Sequence, residues 1–355
     1  MLCLSVRADS FIKFSNITKL LPIINPFINI KWPDMIIVTG GAGFIGSAII
    51  WRLNNLGKED ILVVDELGLT DKWKNLVPLR FYDFMNKLEF IDRLNTLDFK
   101  IEAVIHMGAN SSTTERDADH LLSNNYEYTK RLAEFCLRKD IRFIYASSAA
   151  TYGDGSLGFS DDEKFPASLR PLNMYGYSKN MFDNKAAREG WLDKIVGLKY
   201  FNVYGPNEYH KGDMRSVVHK AFEQIRDTGK VKLFKSLKPE YKDGEQMRDF
   251  IYVKDAVDMT LFFMDNKASG IFNVGTGNAR TWKDLVTSIF SAINKPVNIE
   301  YVDLPQQIAD RYQYFTEAKM DKIKKAGYSG EISSLENGVT DYVKNYLMKD
   351  LYLGY

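Results

Sequence analysis

Cysteine is scarce in this 355-residue sequence, which contains only Cys3 and Cys136. Two cysteines argue against a disulfide framework and fit a reducing compartment, so we expect a cytoplasmic protein. An excess of charge of one sign is also lacking, because the formal net charge is +1 and no basic stripe stands out. We therefore expect no nucleic-acid partner.

Histidine is rare as well, and the histidines show no metal-ligand spacing with cysteine or carboxylate residues. No metal site is expected. We interpret the four histidines as structural or surface residues: His106, His120, His210 and His219.

The N-terminal region lacks an apolar run long enough to span a bilayer, because residues 20–30 form only an eleven-residue run with two prolines. Basic residues precede this run as in a signal peptide, but no small-residue cleavage pattern follows. No membrane partner is expected. Since the first predicted strand of the main fold begins at Met35, we expect residues 1–34 to be a poorly ordered, dispensable extension or a start codon assigned too early. Loss of folding or activity on their deletion would refute this expectation.

A glycine-rich motif follows that first apolar strand. The run MIIVTG leads into GGAGFIG at 40–46, after which apolar residues recur at helical spacing. Gly40, Gly43 and Gly46 serve a tight turn, close approach of the backbone to a pyrophosphate, and close packing of helix on strand. A second strand, DILVVD, ends in Asp65. This order predicts a dinucleotide-binding βαβ unit.

The charges after the second strand leave the choice of dinucleotide open. Asp65 suits the ribose 2'-hydroxyl of NAD and repels a 2'-phosphate. Lys72, Lys74 and Lys87 follow, and lysines that fold back toward the ribose can offset the carboxylate and admit NADP. Solvated surface lysines are the alternative interpretation. From charge alone, NADP and NAD are nearly even.

Further strand and helix patterns extend a parallel sheet. Strand patterns at 102–109 and 141–153 flank a helical pattern at 120–139. We therefore expect an α/β fold with a Rossmann-type doubly wound parallel sheet and a smaller α/β C-terminal substrate domain.

We predict that the Rossmann domain covers residues 35–204, with a return near 248–277, and that residues 205–355 form mainly the substrate domain. Strands are expected near 231 and 297. Helical patterns in the second domain occupy residues 213–228, 254–266, 281–293 and 335–347.

Three residues along the chain indicate alcohol and ketone chemistry. Tyr175 and Lys179 are four residues apart, so on a helix an ammonium group can lie near a phenol and lower its pKa. Ser148 ends a predicted parallel strand, where binding crevices lie, and its hydroxyl can hydrogen-bond a substrate alcohol or ketone. Each residue alone is more often a surface or turn residue. Their order after the glycine-rich motif favours the catalytic interpretation.

With KYFNVYGP at 199–206, RDFIYVKD at 248–255 and GIFNVGTG at 270–277, the chain resembles the extended short-chain dehydrogenase/reductase family from Met35 to its C-terminus. That resemblance implies a nucleotide-diphospho-sugar substrate, a nicotinamide cofactor and a homo-oligomer such as a homopentamer. Dehydratases of this family carry Asp and Glu just after the catalytic hydroxyl residue, where this chain has Ala149 and Ala150. The resemblance therefore favours epimerisation over elimination of water.

Finer runs, including SSTTE at 111–115, HKG at 210–212 and RYQYFT at 311–316, are similar to one group of epimerases in the family. This similarity implies NADP and makes Lys211 a second acid/base for the opposite face of a transient ketone. Without it, a phosphate-binding or surface lysine is the preferred interpretation of Lys211. A 4-epimerase or reductase, and a dinucleotide-binding protein without catalysis, stay as alternatives.

The resemblance also implies binding residues, matched position by position. Asp213 departs from the matched pattern, which has a serine there, and Lys220 falls where the family varies. The implied cofactor-binding residues are Gly40, Gly43, Phe44, Ile45, Gly46, Asp65, Glu66, Lys72, Lys87, Met107, Gly108, Ala109, Asn110, Ser111, Asn124, Lys179, Val203 and Lys211. The implied substrate-binding residues are Ser148, Asn202, Asp213, Lys220, Phe234, Lys235, Ser236, Leu237, Arg248 and Tyr312.

Overall fold

The computed structural model describes residues 34–162, 166–306 and 312–355. The prediction that residues 1–34 are poorly ordered and dispensable lies outside the described residues, except at its last position. There, Asp34 forms an ion pair with Lys100, with 2.5 Å between Oδ2 and Nζ.

Within the described residues, seven parallel strands form the central sheet. These strands are β1 (Met35–Thr39), β2 (Ile61–Asp65), β3 (Asp83–Asn86), β4 (Ile101–His106), β5 (Arg142–Ser148), β6 (Val196–Tyr200) and β10 (Gly270–Val274). Their order across the sheet is β3-β2-β1-β4-β5-β6-β10. The remaining strands are β7 (Asn202–Tyr204), β8 (Val231–Phe234), β9 (Met247–Tyr252), β11 (Ala279–Thr281) and β12 (Ile299–Val302). They form two small sheets, with orders β11-β9-β7 and β12-β8.

Helices cover the central sheet on both faces. They are α1 (Phe44–Asn55), α2 (Lys87–Arg93), α3 (Ala118–Leu121), α4 (Tyr128–Lys139), α5 (Met174–Arg188), α6 (Val217–Thr228), α7 (Val253–Asp265), α8 (Trp282–Ala292), α9 (Asp321–Lys325) and α10 (Leu335–Asp341). A π-helical segment, Leu122–Glu127, joins α3 to α4.

The sheet separates two hydrophobic cores, because successive side chains of a strand point to opposite faces. Ile36 and Val38 of β1 lie in the core that includes residues of α1 and α7, whereas Met35 and Ile37 lie in the core that includes residues of α4 and α5. Each of the five residues of β1 is buried for this reason. Such double coverage confirms the predicted doubly wound α/β fold.

The C-terminal half contributes to both parts of the structure. β10 pairs with β6 at the edge of the central sheet, and the predicted strands near 231 and 297 appear as β8 and β12. The four helical patterns predicted after residue 205 appear as α6, α7, α8 and α10. Residues 34–355, as far as they are described, belong to one compact unit, so the division into two domains at 204/205 stays a prediction. No helix in the described part of the chain is long and apolar enough to cross a bilayer.

Candidate functional site

The glycine-rich loop joins β1 to α1 through close contacts between backbone segments. Gly40 has φ +67°, and a Cβ on it would lie 2.6 Å from the backbone nitrogen of Gly108. A Cβ on Gly46 would overlap the carbonyl oxygen of Gly40. α1 begins at Phe44, and the N–H groups of its first turn have no acceptor within the helix. These open N–H groups and the tight backbone fit a dinucleotide pyrophosphate.

Two carboxylate–lysine pairs form where β2 ends. Asp65 accepts a hydrogen bond from Ala42 N (2.9 Å) with one oxygen and pairs with Lys72 Nζ (2.7 Å) through the other. Glu66 pairs with Lys87 at 2.6 Å, and that contact lowers the pKa of Glu66. Both pairs border a pocket of about 250 Å³. The two lysines thus balance the two carboxylates in the place predicted for the adenosine ribose.

A larger cavity of about 810 Å³ extends from the glycine-rich loop across the carboxyl ends of β4 and β5. It brings together residues that are far apart in the sequence, as the switch-point geometry of such sheets predicts. The predicted site residues that line it are Gly40, Gly43, Phe44, Ile45, Gly46, Asp65, Lys72, Met107, Gly108, Ala109, Asn110, Ser111, Ser148, Tyr175, Lys179, Asn202, Val203 and Lys211. Glu66, Lys87 and Asn124 line the smaller pocket.

Tyr175 lies in the first turn of α5, which is capped by Asn173 through a 2.9 Å bond from Gly176 N to Oδ1. Burial raises the pKa of Tyr175 above its ordinary value, while a hydrogen bond with Ser148 acts in the opposite direction. The Lys179 ammonium, predicted to lower this pKa, donates a hydrogen bond to the carbonyl of Ala146 at 2.8 Å. The hydrogen bond with Ser148 thus favours the phenolate, whereas the contribution of Lys179 stays a prediction.

Lys179 itself has a displaced pKa. Burial lowers the pKa of Lys179 to about 8, and the carboxylate of Asp183, one turn further along α5, acts to raise it. Asp183 is fully buried and accepts hydrogen bonds from Tyr145 (2.9 Å) and Ser147 (2.7 Å). The helix thus carries Tyr175, Lys179 and Asp183 at successive four-residue steps.

Lys211 faces the same cavity from a 3₁₀ segment, Tyr209–Met214. Its Nζ lies 5.4 Å from the centre of the Phe44 ring. Burial lowers the pKa of Lys211, and the nearby Glu208 carboxylate acts to raise it. Lys211 is therefore a cavity residue, and both the proton-transfer role and the phosphate-binding role stay predictions.

Part of the predicted substrate set forms a second cluster beyond the wall of the cavity. The Arg248 guanidinium lies 5.7 Å from the ring of Trp282 and 5.5 Å from that of Tyr312. Tyr312 accepts a hydrogen bond from Trp282 Nε1 at 3.1 Å, and its ring is 6.3 Å from that of Phe234. Because Trp282 also lines the cavity, it connects this aromatic and arginine cluster to the site.

Other predicted substrate residues do not line the cavity. Asp213 is exposed, and its carbonyl accepts a hydrogen bond from Lys220 Nζ at 3.2 Å. Lys235 pairs with Asp303 at 3.0 Å, outside the cavity wall, and Leu237 is 62% exposed. Lys235, Ser236 and Leu237 occupy the loop after β8, whereas Asp213 and Lys220 lie before that strand. Their contact with substrate stays a prediction.

Several cavity residues were missed from the sequence. His210 was interpreted as structural or surface, but it borders the cavity, and burial lowers its pKa to about 4. Its position beside Lys211 in HKG was the available signal. The other missed residues are Thr70, Ser112, Ala146, Ser147, Tyr200, Phe201, Tyr204, Met214, Arg215, Ser216, Val217, Val218, Phe250, Trp282 and Leu285. Among the described residues, no cluster of three or more histidine, cysteine or acidic side chains can hold a metal ion.

Comparison with known proteins extends these observations. The model of the NAD dependent epimerase/dehydratase family matches residues 36–275. The chain is 57% identical over 316 residues to ADP-L-glycero-D-manno-heptose-6-epimerase of Nitratidesulfovibrio vulgaris (strain DP4), covering 88% of this chain and 98% of that protein.

Solved structures of epimerases are also similar. The Helicobacter pylori ADP-L-glycero-D-manno-heptose-6-epimerase has a TM-score of 0.75 and 29% identity, with 88% of this chain and 96% of that chain covered. The UDP-glucose 4-epimerase of Thermus thermophilus, in complex with NAD, has a TM-score of 0.69 and 25% identity, with 87% and 98% covered.

Proposed function

The chain belongs to the NAD dependent epimerase/dehydratase family, and we propose that it converts ADP-D-glycero-D-manno-heptose to ADP-L-glycero-D-manno-heptose with NADP as cofactor. The observation that carries this proposal is the presence of two candidate proton-transfer groups, Tyr175 and Lys211, on one cavity. The finer sequence runs noted above resemble those of heptose 6-epimerases, which supports this choice of substrate.

Bound NADP supplies reversible hydride acceptance, which turns a secondary alcohol into a ketone. As the alcohol is oxidised, its hydroxyl proton would pass to Tyr175 or Lys211, and Ser148 would donate a hydrogen bond to the oxygen. Rotation about the exocyclic bond then presents the other face of the ketone. Reduction of the ketone on its other face would then be matched by a proton from the second of the two groups to the oxygen. Release of a proton to solvent by the first group and uptake of one by the second would restore both residues for the next turnover.

Loss of water is disfavoured by the residues after Ser148. A dehydratase needs an acid and a base beside the tyrosine, but Ala149 and Ala150 begin a 3₁₀ turn there. The side chain of Ser148 caps that turn by accepting a hydrogen bond from Ala150 N at 3.1 Å. Methyl groups at both positions leave Ser148 and Tyr175 to serve oxidation and reduction alone.

Incubation with ADP-D-glycero-D-manno-heptose tests the proposal, with configuration at the exocyclic carbon read by NMR. We expect inversion by the wild type and a loss of at least about a hundredfold in Lys211→Ala, since a positioned acid/base contributes roughly 10²- to 10⁴-fold. Lys139→Ala is the matched control, because Lys139 is exposed at the end of α4 and lines neither the cavity nor the smaller pocket. An unchanged configuration would sink the heptose proposal. Full activity in Lys211→Ala would favour a 4-epimerase or reductase, which has no need of this lysine.

The lysines near β2 support NADP over NAD. Lys72 and Lys87 neutralise Asp65 and Glu66, so these two carboxylates do not repel a 2'-phosphate as unpaired carboxylates would. We expect Lys87→Ala to weaken NADP⁺ binding about tenfold, the loss of one charge-assisted contact, and NAD⁺ binding less than about threefold. Lys74→Ala is the control, because Lys74 pairs with Asp71 and does not line the smaller pocket. Equal weakening of both nucleotides would argue against this role for Lys87.

The remaining parts of the proposal follow from the same resemblance. We infer that the product supplies heptose for the lipopolysaccharide inner core, that the enzyme is a cytoplasmic homo-oligomer such as a homopentamer, and that the matched site residues contact NADP or substrate. The nucleotide that copurifies with the protein is the most direct measurement of the cofactor.

A further inference from the structure

Two buried asparagines lie between the glycine-rich loop and the segment that carries Lys211. Asn75 and Asn207 are both 0% exposed. Asn207 has φ +76°, a left-handed conformation that asparagine adopts more readily than most residues and that surrounding contacts must stabilise. Neither residue was identified from the sequence, and neither lines the cavity.

The polar atoms of Asn207 connect three parts of the chain. Its Nδ2 donates to Ser47 Oγ in α1 at 2.9 Å, and its Oδ1 accepts from Leu353 N near the C-terminus at 2.9 Å. Its carbonyl oxygen accepts from Asn75 Nδ2 at 3.1 Å. Ser47 in turn donates to the carbonyl of Phe44 at 3.2 Å. The side chain therefore bonds to the helix that begins at the glycine-rich loop.

Asn75 links the backbone of Asn207 to the glycine-rich loop. Its Nδ2 also donates to the carbonyl of Ala42 in the glycine-rich loop at 2.9 Å and lies 3.3 Å from His210 Nδ1. Two carbonyl oxygens require a donor, so the amide orientation follows from chemistry. One NH₂ group thus joins Ala42 to Asn207 and approaches His210, the residue before Lys211.

We propose that Asn207, supported by Asn75, is a positioning residue that holds Lys211 against the glycine-rich loop for its proton transfer. Lys211 N donates to the carbonyl of Glu208, the residue after Asn207, at 3.0 Å. At its other end Lys211 approaches the ring of Phe44, whose carbonyl belongs to the same hydrogen-bonded set. This role rests on the proposed function, because it concerns the second of two proton-transfer groups.

Loss of the hydrogen bonds made by Asn207 and Asn75 should affect Lys211 more than Tyr175. Tyr175 is placed by α5 and Ser148, and its helix cap is Asn173. In the described part of the chain, none of these three contacts involves Asn207. Removal of these hydrogen bonds should therefore displace Lys211 and leave Tyr175 in place. Displacement of a reacting group by about 1 Å can cost on the order of a hundredfold in rate.

Asn207→Gly tests the proposal, since glycine accepts the left-handed backbone and removes both side-chain bonds. The matched control is Asn294→Gly at an exposed asparagine with φ +54°. Each C6 epimer of the ADP-heptose is mixed with the NADP⁺-loaded enzyme, and reduction of the nicotinamide is followed in a single turnover. Lys211→Ala shows which epimer depends on Lys211. We expect Asn207→Gly to slow nicotinamide reduction by that epimer about tenfold or more and by the other epimer less than threefold. Asn294→Gly should leave both rates unchanged.

Amide hydrogen exchange gives a second readout that does not depend on turnover. Exchange within residues 209–214 should be faster in Asn207→Gly than in the wild type or Asn294→Gly, while nucleotide titration reports an intact fold. Ser47→Ala removes the hydrogen bonds of Ser47 with Asn207 and Phe44 but keeps the bond from Leu353 to Asn207, and it serves if Asn207→Gly does not fold. The same preferential slowing of the epimer that depends on Lys211 is expected. Equal slowing of both epimers, or unchanged rates, would overturn the positioning role. If the wild type interconverts neither epimer, the proposed function fails, and the exchange measurement still decides whether Asn207 holds the segment.

Discussion

Tyr175 depends on its neighbours, because burial alone raises the pKa of its phenol. Ser148 lowers it in part, and the cationic Lys179 one turn away is the remaining protein group predicted to favour the phenolate. A tyrosine without this set would stay protonated at neutral pH and could not accept a proton.

Tyr175→Phe should therefore abolish turnover without unfolding the protein. Removal of an acid/base costs roughly 10²- to 10⁴-fold. Tyr177→Phe is the control, since Tyr177 stands two residues along the same helix and is 49% exposed. Conversion of the sugar nucleotide and the melting temperature should be measured for both. Comparable turnover in the two variants would contradict a catalytic role for Tyr175.

The lowered pKa of Lys179 predicts that kcat/KM depends on pH. Burial lowers its pKa to about 8, so the ammonium is present below that pH and is lost as pH rises through it. We expect kcat/KM to fall about tenfold per pH unit above about 8. In Lys179→Arg, if active, the fall should move to higher pH because the guanidinium stays charged. A profile that is the same in both proteins would assign the fall to another group.

The stability of the protein should respond to the same group. Between the displaced pKa of about 8 and the ordinary value of 10.5, the unfolded chain binds a proton at Lys179 that the folded chain does not. The contribution of Lys179 to the free energy of unfolding therefore rises with pH across this window and is lost as pH falls through about 8.

Spacing along the chain predicted only part of the site. Tyr175 and Lys179 are one helical turn apart, so their pattern is visible in the sequence itself. His210 and Trp282 reach the cavity through tertiary packing, and no local pattern marks them. Lys211 was found by resemblance alone, since a lysine in a 3₁₀ segment has no periodic signature.

At the scale of elements, one glycine of the glycine-rich loop is needed for packing of the fold and another for binding of the nucleotide. A Cβ on Gly46 would overlap a backbone oxygen that cannot move aside, whereas a Cβ on Gly43 would meet only the Gly40 carbonyl oxygen, at 3.1 Å, and would otherwise face the cavity. Replacement by alanine should therefore reduce stability at Gly46 and nucleotide binding at Gly43.

We expect Gly46→Ala to lower the free energy of unfolding by about 1–3 kcal/mol or more, the usual cost of overpacking. Gly43→Ala should keep its stability within about 1 kcal/mol and weaken nucleotide binding about tenfold, since the methyl group occupies the approach to the pyrophosphate. Thermal melts and nucleotide titration measure the two effects separately. The prediction is wrong if Gly46→Ala melts like the wild type.

The strands and most helices could be predicted because their hydrophobic periods are local. β1 shows a continuous apolar run because both faces of the sheet are covered, and α6 shows helical spacing because one face is buried. The π-helical segment Leu122–Glu127 was not predicted as such, since its apolar residues fit an ordinary helix. Within this segment, Asn124 accepts a hydrogen bond from Lys87 Nζ at 3.1 Å, a tertiary contact that local spacing does not predict.

At the scale of the whole molecule, the end of the chain returns to the site. Leu353 is fully buried, and its N–H bonds to Asn207, while Tyr209 donates to the carbonyl of Leu351 at 2.9 Å. The rings of Tyr209 and Tyr352 are 4.9 Å apart. The C-terminal residues thus contact the segment with Lys211 independently of the glycine-rich loop.

This arrangement predicts that the chain end affects turnover more than cofactor binding. Deletion of residues 351–355 removes both hydrogen bonds and the buried Leu353 side chain, whose loss alone should cost about 2–5 kcal/mol by analogy with core leucine truncation. Deletion of residues 354–355 is the control, because Tyr355 is 66% exposed and makes no side-chain hydrogen bond among the described residues. We expect the longer deletion, where it stays folded, to lower kcat about tenfold and to leave NADP⁺ affinity within about threefold, because the glycine-rich loop keeps its own contacts. Parallel losses of kcat and nucleotide affinity would mean that the C-terminal residues support the whole fold, whereas a selective loss of kcat would place their effect at Lys211.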